Sequence, residues 1–120
     1  MNVLIVDDAL FMRNLLRGIF ERAGFAVVGE AGDGAEAVEK YRTLRPELVM
    51  MDIVMPEKSG IEALKEIVTE DPAACVVMCS ALGQEKLVME AVQSGARDFI
   101  VKPFKDDLVL ETVKRVTGAA

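Results

Sequence analysis

The stretch Leu48–Pro56, LVMMDIVMP, runs four apolar residues into an aspartate and then three more into a proline. A strand buried on both faces reads as a continuous apolar run, and such strands belong to parallel sheets covered by helices. The aspartate at the end of this run, Asp52, is costly in those surroundings unless something uses its charge. Near the start, VLIVDD repeats the pattern, with Val3–Val6 leading into Asp7 and Asp8.

Three more apolar runs follow the same rule, Ala26–Gly29, Cys75–Cys79 and Phe99–Val101. Amphipathic stretches separate all five. Met12, Leu15, Leu16, Ile19 and Ala23 form the first helical stripe, and Val38, Tyr41 and Leu44 the second, in a helix from about Ala35 to Leu44. Ile61, Leu64, Ile67 and Val68 give the third, Leu87, Val88, Ala91 and Val92 the fourth, and Leu108, Val109, Val113 and Val116 the fifth. Gly24 and Gly95 stand where helix C-caps need them, and Pro46 and Pro72 follow two other helices. Asp106 and Asp107 begin the last helix and Lys114 and Arg115 end it, in keeping with the helix dipole. Strand and helix alternating five times predicts an α/β, doubly wound, five-stranded parallel sheet with five helices on its two faces.

Composition narrows the function. The 120 residues are 52% hydrophobic and 28% charged, which fits one globular domain with a real core. The net charge of −6 argues against a nucleic-acid surface, and no apolar run is long enough to span a bilayer. Histidine is absent, which removes Ser-His-Asp and Cys-His catalysis and the commonest zinc ligand. Cys75 and Cys79, four apart on one strand, share a face but lie beyond disulfide reach, and read as small buried hydrophobes.

In an open α/β sheet, ligands bind beyond the carboxyl ends of the strands, at the point where strand order reverses. Those positions hold Asp7 and Asp8 after the first strand, Asp52 at the end of the third, Ser80 after the fourth and Lys102 after the fifth. Taken singly, Asp8 is a good helix N-cap, Lys102 a surface residue and Ser80 a turn former. Three carboxylates on one rim repel one another unless a cation is present, and an all-oxygen cup with open positions suits Mg²⁺ beside a phosphoryl group.

VLIVDD, MDIVMPEKSG, CSA and DFIVKPF, in this order and spacing across essentially the whole chain, resemble the receiver domain of bacterial response regulators. DDALFMR and the lack of an output domain resemble the stand-alone chemotaxis type, with residues 1–120 as one receiver domain. The resemblance implies the flavodoxin-like strand order 2-1-3-4-5, of which this family is itself a standing example. It makes Asp52 the phosphoacceptor for a phosphoryl group from a sensor histidine kinase. Asp8, Asp52 and the Val54 backbone carbonyl would ligate Mg²⁺, with Asp7 holding the ion through water. Lys102 would bind the phosphoryl group, Ser80 would hydrogen-bond it, and Phe99 would report that bond to the surface. Without the resemblance, Phe99 reads as core. A cis Lys102–Pro103 peptide is also implied.

The implied protein is a cytoplasmic monomer that catalyses only its own phosphorylation and dephosphorylation. Its implied partners are a chemotaxis-type kinase, the flagellar motor switch protein and a phosphatase, reached through the fourth helix, fifth strand and fifth helix. The chain departs from the family pattern at Ser80, where threonine is commoner, and at Phe99, where tyrosine is. Val54 and Leu82 are apolar where many relatives are polar, which predicts slow loss of the phosphoryl group. An intermediate carrier in a phosphorelay is the alternative within the fold. A Mg²⁺-dependent phosphohydrolase is the alternative outside it, but Val54 stands where such an enzyme needs a second carboxylate.

Overall fold

The computed structural model describes residues 1–118. Strands β1 (Asn2–Val6), β2 (Ala26–Ala31), β3 (Leu48–Asp52), β4 (Val76–Ser80) and β5 (Asp98–Val101) alternate with helices α1 (Leu10–Arg22), α2 (Gly34–Leu44), α3 (Gly60–Glu70), α4 (Glu85–Gln93) and α5 (Asp106–Thr117). All strand pairs are parallel, and the sheet order is β2-β1-β3-β4-β5. The chain order reverses between β1 and β3, so the crevice beyond their carboxyl ends is the switch point.

Each central strand sends alternate side chains to opposite faces. Val3 and Ile5, Leu48 and Met50, and Val77 and Cys79 pack beneath α1 and α5 with Leu16, Ile19, Phe20, Val109 and Val113. Leu4 and Val6, Val49 and Met51, and Val76 and Met78 pack on the other face under α2, α3 and α4. Both cysteines are free and lie on the α1/α5 side, as their spacing predicts. Burial pushes the Cys79 thiol up to about 12, so it stays protonated at neutral pH.

Local signals explain the helix ends. Ser59 caps α3 in a reciprocal pair with Glu62, and Asp33 accepts the Glu36 N–H to cap α2. Gly24 (φ 87°) and Gly95 (φ 110°) take the left-handed conformation just past α1 and α4. Tyr41 on α2 donates a 2.7 Å hydrogen bond to Asp71 at the end of α3, which ties the two helices together.

The structure corrects the sequence reading in particular places. Leu15, Leu44, Val92 and Leu108 are exposed rather than inward, and so is Ala23. In α1 the missing core residue is Phe20, fully buried, whose ring meets Phe25 edge-on at 5.2 Å. Leu16, Ile19 and Phe20 together face the sheet, which leaves Leu15 and Ala23 turned outward. Strand β2 continues two residues beyond Gly29, and β4 begins at Val76 rather than Cys75. The N-cap of α1 is Ala9, so Asp8 is not a cap.

Candidate functional site

At the switch point, β3 delivers Asp52 buried, with 8% of its surface exposed. Ile53 N–H extends the ladder to β4 by donating to the Cys79 carbonyl at 3.2 Å, and the chain then turns back, with Gly60 N–H donating to the Ile53 carbonyl at 2.7 Å. Gly60 lies so close to the Asp52 carbonyl that any Cβ there would overlap it. Glycine is therefore what lets α3 begin directly beside the end of β3.

Asp7, 1% exposed, follows β1 next door. Its Oδ1 accepts the Ala9 N–H at 2.9 Å and its Oδ2 accepts from Lys102 Nζ at 2.8 Å. Lys102 Nζ also lies 3.4 Å from Asp52 Oδ1. The lysine is aimed inward from the end of β5, where its own N–H donates to the Ser80 carbonyl at 2.7 Å and its bond to Pro103 is cis.

The electrostatics follow from this packing. Burial first, and the neighbouring Asp7 charge second, push the Asp52 carboxyl up to about 6, with Lys102 opposing them. Burial would lower the Lys102 pKa, but its hydrogen bond to Asp7 and the charges of Asp52 and Asp7 outweigh it, so the ammonium is held above its ordinary range. One ammonium thus serves two carboxylates, Asp7 and Asp52.

Asp8 completes the group from the rim. Oxygens from Asp7, Asp8 and Asp52 all lie within 4.8 Å of one another. The exposed Asp8 carboxylate makes no hydrogen bond or ion pair among the described residues, and the Val54 carbonyl accepts no hydrogen bond. Both are uncommitted oxygen donors, whereas both Asp7 oxygens are already engaged. An all-oxygen set with this excess of negative charge fits a hard divalent cation.

The remaining sequence candidates lie around this cluster. Ser80 is buried, and its hydroxyl donates to the Ile100 carbonyl at 3.5 Å rather than to Asp52. Phe99 is 39% exposed, so it is not core. With Ser80, Val88 and Met89 it lines an apolar cleft of about 270 Å³ between α4 and β5. The Val54 and Leu82 side chains stand out on the rim at 55% and 79% exposure.

Sequence reasoning missed Arg13, Arg17 and Glu30. Arg13 donates to the Asp7 backbone carbonyl at 2.6 Å and to Glu30 at 3.0 Å, and Arg17 holds the other Glu30 oxygen at 2.8 Å. Burial would raise the Glu30 pKa, but the hydrogen bonds from Arg17 and Arg13 bring it below the ordinary carboxylate value. The one available signal was Glu30 itself, a charge set in an otherwise apolar strand.

The flavodoxin-like sheet in the order 2-1-3-4-5 carries three carboxylates and a lysine at the carboxyl ends of its strands. Residues 3–114 match the model of the response regulator receiver domain, and the chain belongs to that family. It is 55% identical over 115 residues to the chemotaxis protein CheY of Thermotoga maritima, covering 96% of each chain. It is 56% identical over 113 residues to CheY of Bacillus subtilis, covering 94% of each. Among solved structures, a chain of the CheX–CheY–BeF3–Mg²⁺ complex from Borrelia burgdorferi superposes with a TM-score of 0.93 at 44% identity, over 97% of this chain and 88% of that one. Family and relatives together support a phosphorylation-dependent response regulator of chemotaxis. No helix among the described residues is long and apolar enough to cross a membrane.

Proposed function

We propose that Asp52 accepts a phosphoryl group from the phosphohistidine of a chemotaxis-type sensor kinase, in a reaction that needs Mg²⁺. The observation that carries this reading is the placement of Asp52: a buried carboxylate at the switch point, with an oxygen within 4.8 Å of oxygens of Asp7 and Asp8 and 3.4 Å from Lys102 Nζ. An Asp52 oxygen forms the bond to phosphorus as the bond to the donor histidine nitrogen breaks, and the electron pair stays on that nitrogen. Such a transfer needs in-line positioning and neutralised charge more than covalent help.

Asp8, Asp52 and the Val54 carbonyl would hold Mg²⁺ directly, and Asp7, with both its oxygens engaged, would hold it through water. When bound, the ion supplies positive charge to the carboxylates and the phosphoryl oxygens. Lys102 adds its own charge by turning from Asp7 toward the phosphoryl group. The Ser80 hydroxyl exchanges its long bond to Ile100 for a phosphoryl oxygen, and Phe99, across the shared cleft, responds.

The protein is then a switch that catalyses only its own phosphorylation and dephosphorylation, in the cytoplasm. Met89, Val92, Phe99 and Leu108 give α4, β5 and α5 an exposed apolar surface, which suits a protein target such as the flagellar motor switch. A phosphatase is a further partner. Beryllofluoride with Mg²⁺ tests the site: it should shift the backbone amides of Asp8, Asp52 and Ser80 in the parent protein and not in Asp52→Asn. Equal shifts in both proteins would remove Asp52 from its role.

A further inference from the structure

We propose that Arg13 is a positioning residue for the carboxylate cluster: its guanidinium ties the Asp7 backbone carbonyl to Glu30 on the neighbouring strand, and so sets where Asp7 and Asp8 stand. The inference rests on the metal-dependent reading of that cluster.

Asp7 is buried and engaged at every polar atom. Its N–H donates to the Ala31 carbonyl at 3.0 Å, while its two carboxylate oxygens accept from Ala9 and Lys102. Its carbonyl is the one polar group that no neighbouring strand or loop satisfies, and Arg13 Nη1 donates to it at 2.6 Å. That carbonyl belongs to the planar peptide unit joining Asp7 to Asp8, so its direction constrains the start of both residues.

Arg13 is itself held in place. Its Nε donates to Glu30 Oε1 at 3.0 Å, and Arg17 holds Glu30 Oε2, so Glu30 sits between two guanidinium groups. The Arg13 and Glu30 side chains are only 19% and 23% exposed. A guanidinium presents several N–H groups in one rigid plane, which lets it reach a carbonyl and a carboxylate together. Lysine has the charge but only one nitrogen. Neither Arg13 nor Glu30 belongs to the carboxylate cluster, so both act through Asp7.

The test is a Mg²⁺ titration of the metal-free protein, followed by backbone amide shifts, together with hydrogen exchange at the Asp7 amide. Arg13→Gln should raise the half-saturating Mg²⁺ about 10-fold, the low end of what loss of a partner behind a metal ligand costs. The Asp7 amide should exchange faster in that variant without metal. Arg13→Lys should not restore the parent value. Arg42→Gln, which removes a charge from an exposed pair with Glu70, should leave the titration unchanged. Glu30→Gln should shift it in the same direction by less, and it serves as the test should Arg13→Gln fail to fold. Unchanged affinity in Arg13→Gln or, in its place, in Glu30→Gln overturns the proposal, as does full recovery in Arg13→Lys or an equal shift in Arg42→Gln. A parent protein whose amides ignore Mg²⁺ overturns the metal reading beneath it, so the parent titration tells the two failures apart.

Discussion

The Lys102 ammonium stands 3.4 Å from the Asp52 carboxylate, beyond the range of a strong charge-assisted hydrogen bond, because Asp7 draws it to 2.8 Å. The more deeply buried aspartate has the lysine, and the proposed phosphoacceptor is left short of positive charge. Without metal, that shortage is a cost of folding.

The cost sets a pH dependence in EDTA. The Asp52 carboxyl moves from 3.8 unfolded to about 6 folded, so its proton is bound more tightly in the native state. Its contribution to stability is complete below about pH 4 and lost as pH rises through about 6. A rise of that size in a carboxyl pKa corresponds to a loss on the order of 3 kcal/mol. Asp52→Asn, which does not titrate, should therefore gain on the parent as pH rises from 4 to 7 in urea unfolding. A stability gap that stays flat over that range would show that Asp52 is not strained.

Asp8 gives a different signature. Its carboxylate is exposed and makes no hydrogen bond or ion pair among the described residues, so Asp8→Ala should leave metal-free stability within about 0.5 kcal/mol of the parent. The same change should weaken Mg²⁺ binding markedly. Calorimetric titration showing unchanged Mg²⁺ affinity would move the metal site elsewhere.

How far the sequence carries the fold can be read from the strands. The continuous runs at Val3–Val6 and Leu48–Met51 are legible because burial on both faces leaves no polar position to confuse them. Asp7, Asp8 and Asp52 are legible for the same reason, as charges that follow such runs, and Lys102 as the charge that follows the short run Phe99–Val101. Helix faces are harder to read. Leu15 and Leu108 satisfy helical spacing yet lie outside the arc that meets the sheet, and in α1 that arc is the one holding Leu16, Ile19 and Phe20. Arg13 looks like any charge on a solvated face until β1 and β2 bring Glu30 and the Asp7 carbonyl beside it.

Ser80 and Phe99 line one cleft, so the switch should depend on the hydroxyl. Differential contacts with the phosphoryl group are the only energy available, and the shift should be partial rather than all-or-none. Ser80→Ala should accept the phosphoryl group but move the Phe99 ring resonances less than the parent does. Ring shifts equal to those of phosphorylated parent protein would disconnect Ser80 from Phe99.

Decay of the phosphorylated state should be slow. Hydrolysis needs a water in line with the phosphorus–oxygen bond to Asp52, and the rim residues Val54 and Leu82 offer that water no hydrogen bond. Orientation of a nucleophile supplies several kcal/mol of barrier lowering, so polar side chains here should matter. Val54→Asn combined with Leu82→Glu should hasten decay after the donor is removed. Equal or slower decay would show that these side chains do not control the water.

The most direct measurement is the intact mass of the protein after incubation with Mg²⁺ and a small acyl phosphate. The parent should gain the mass of one phosphoryl group, and lose it again after the donor is removed. Asp52→Asn should gain none under the same conditions, although Asp7 and Asp8 remain. Undiminished phosphorylation of Asp52→Asn would contradict the assignment of Asp52 as the acceptor.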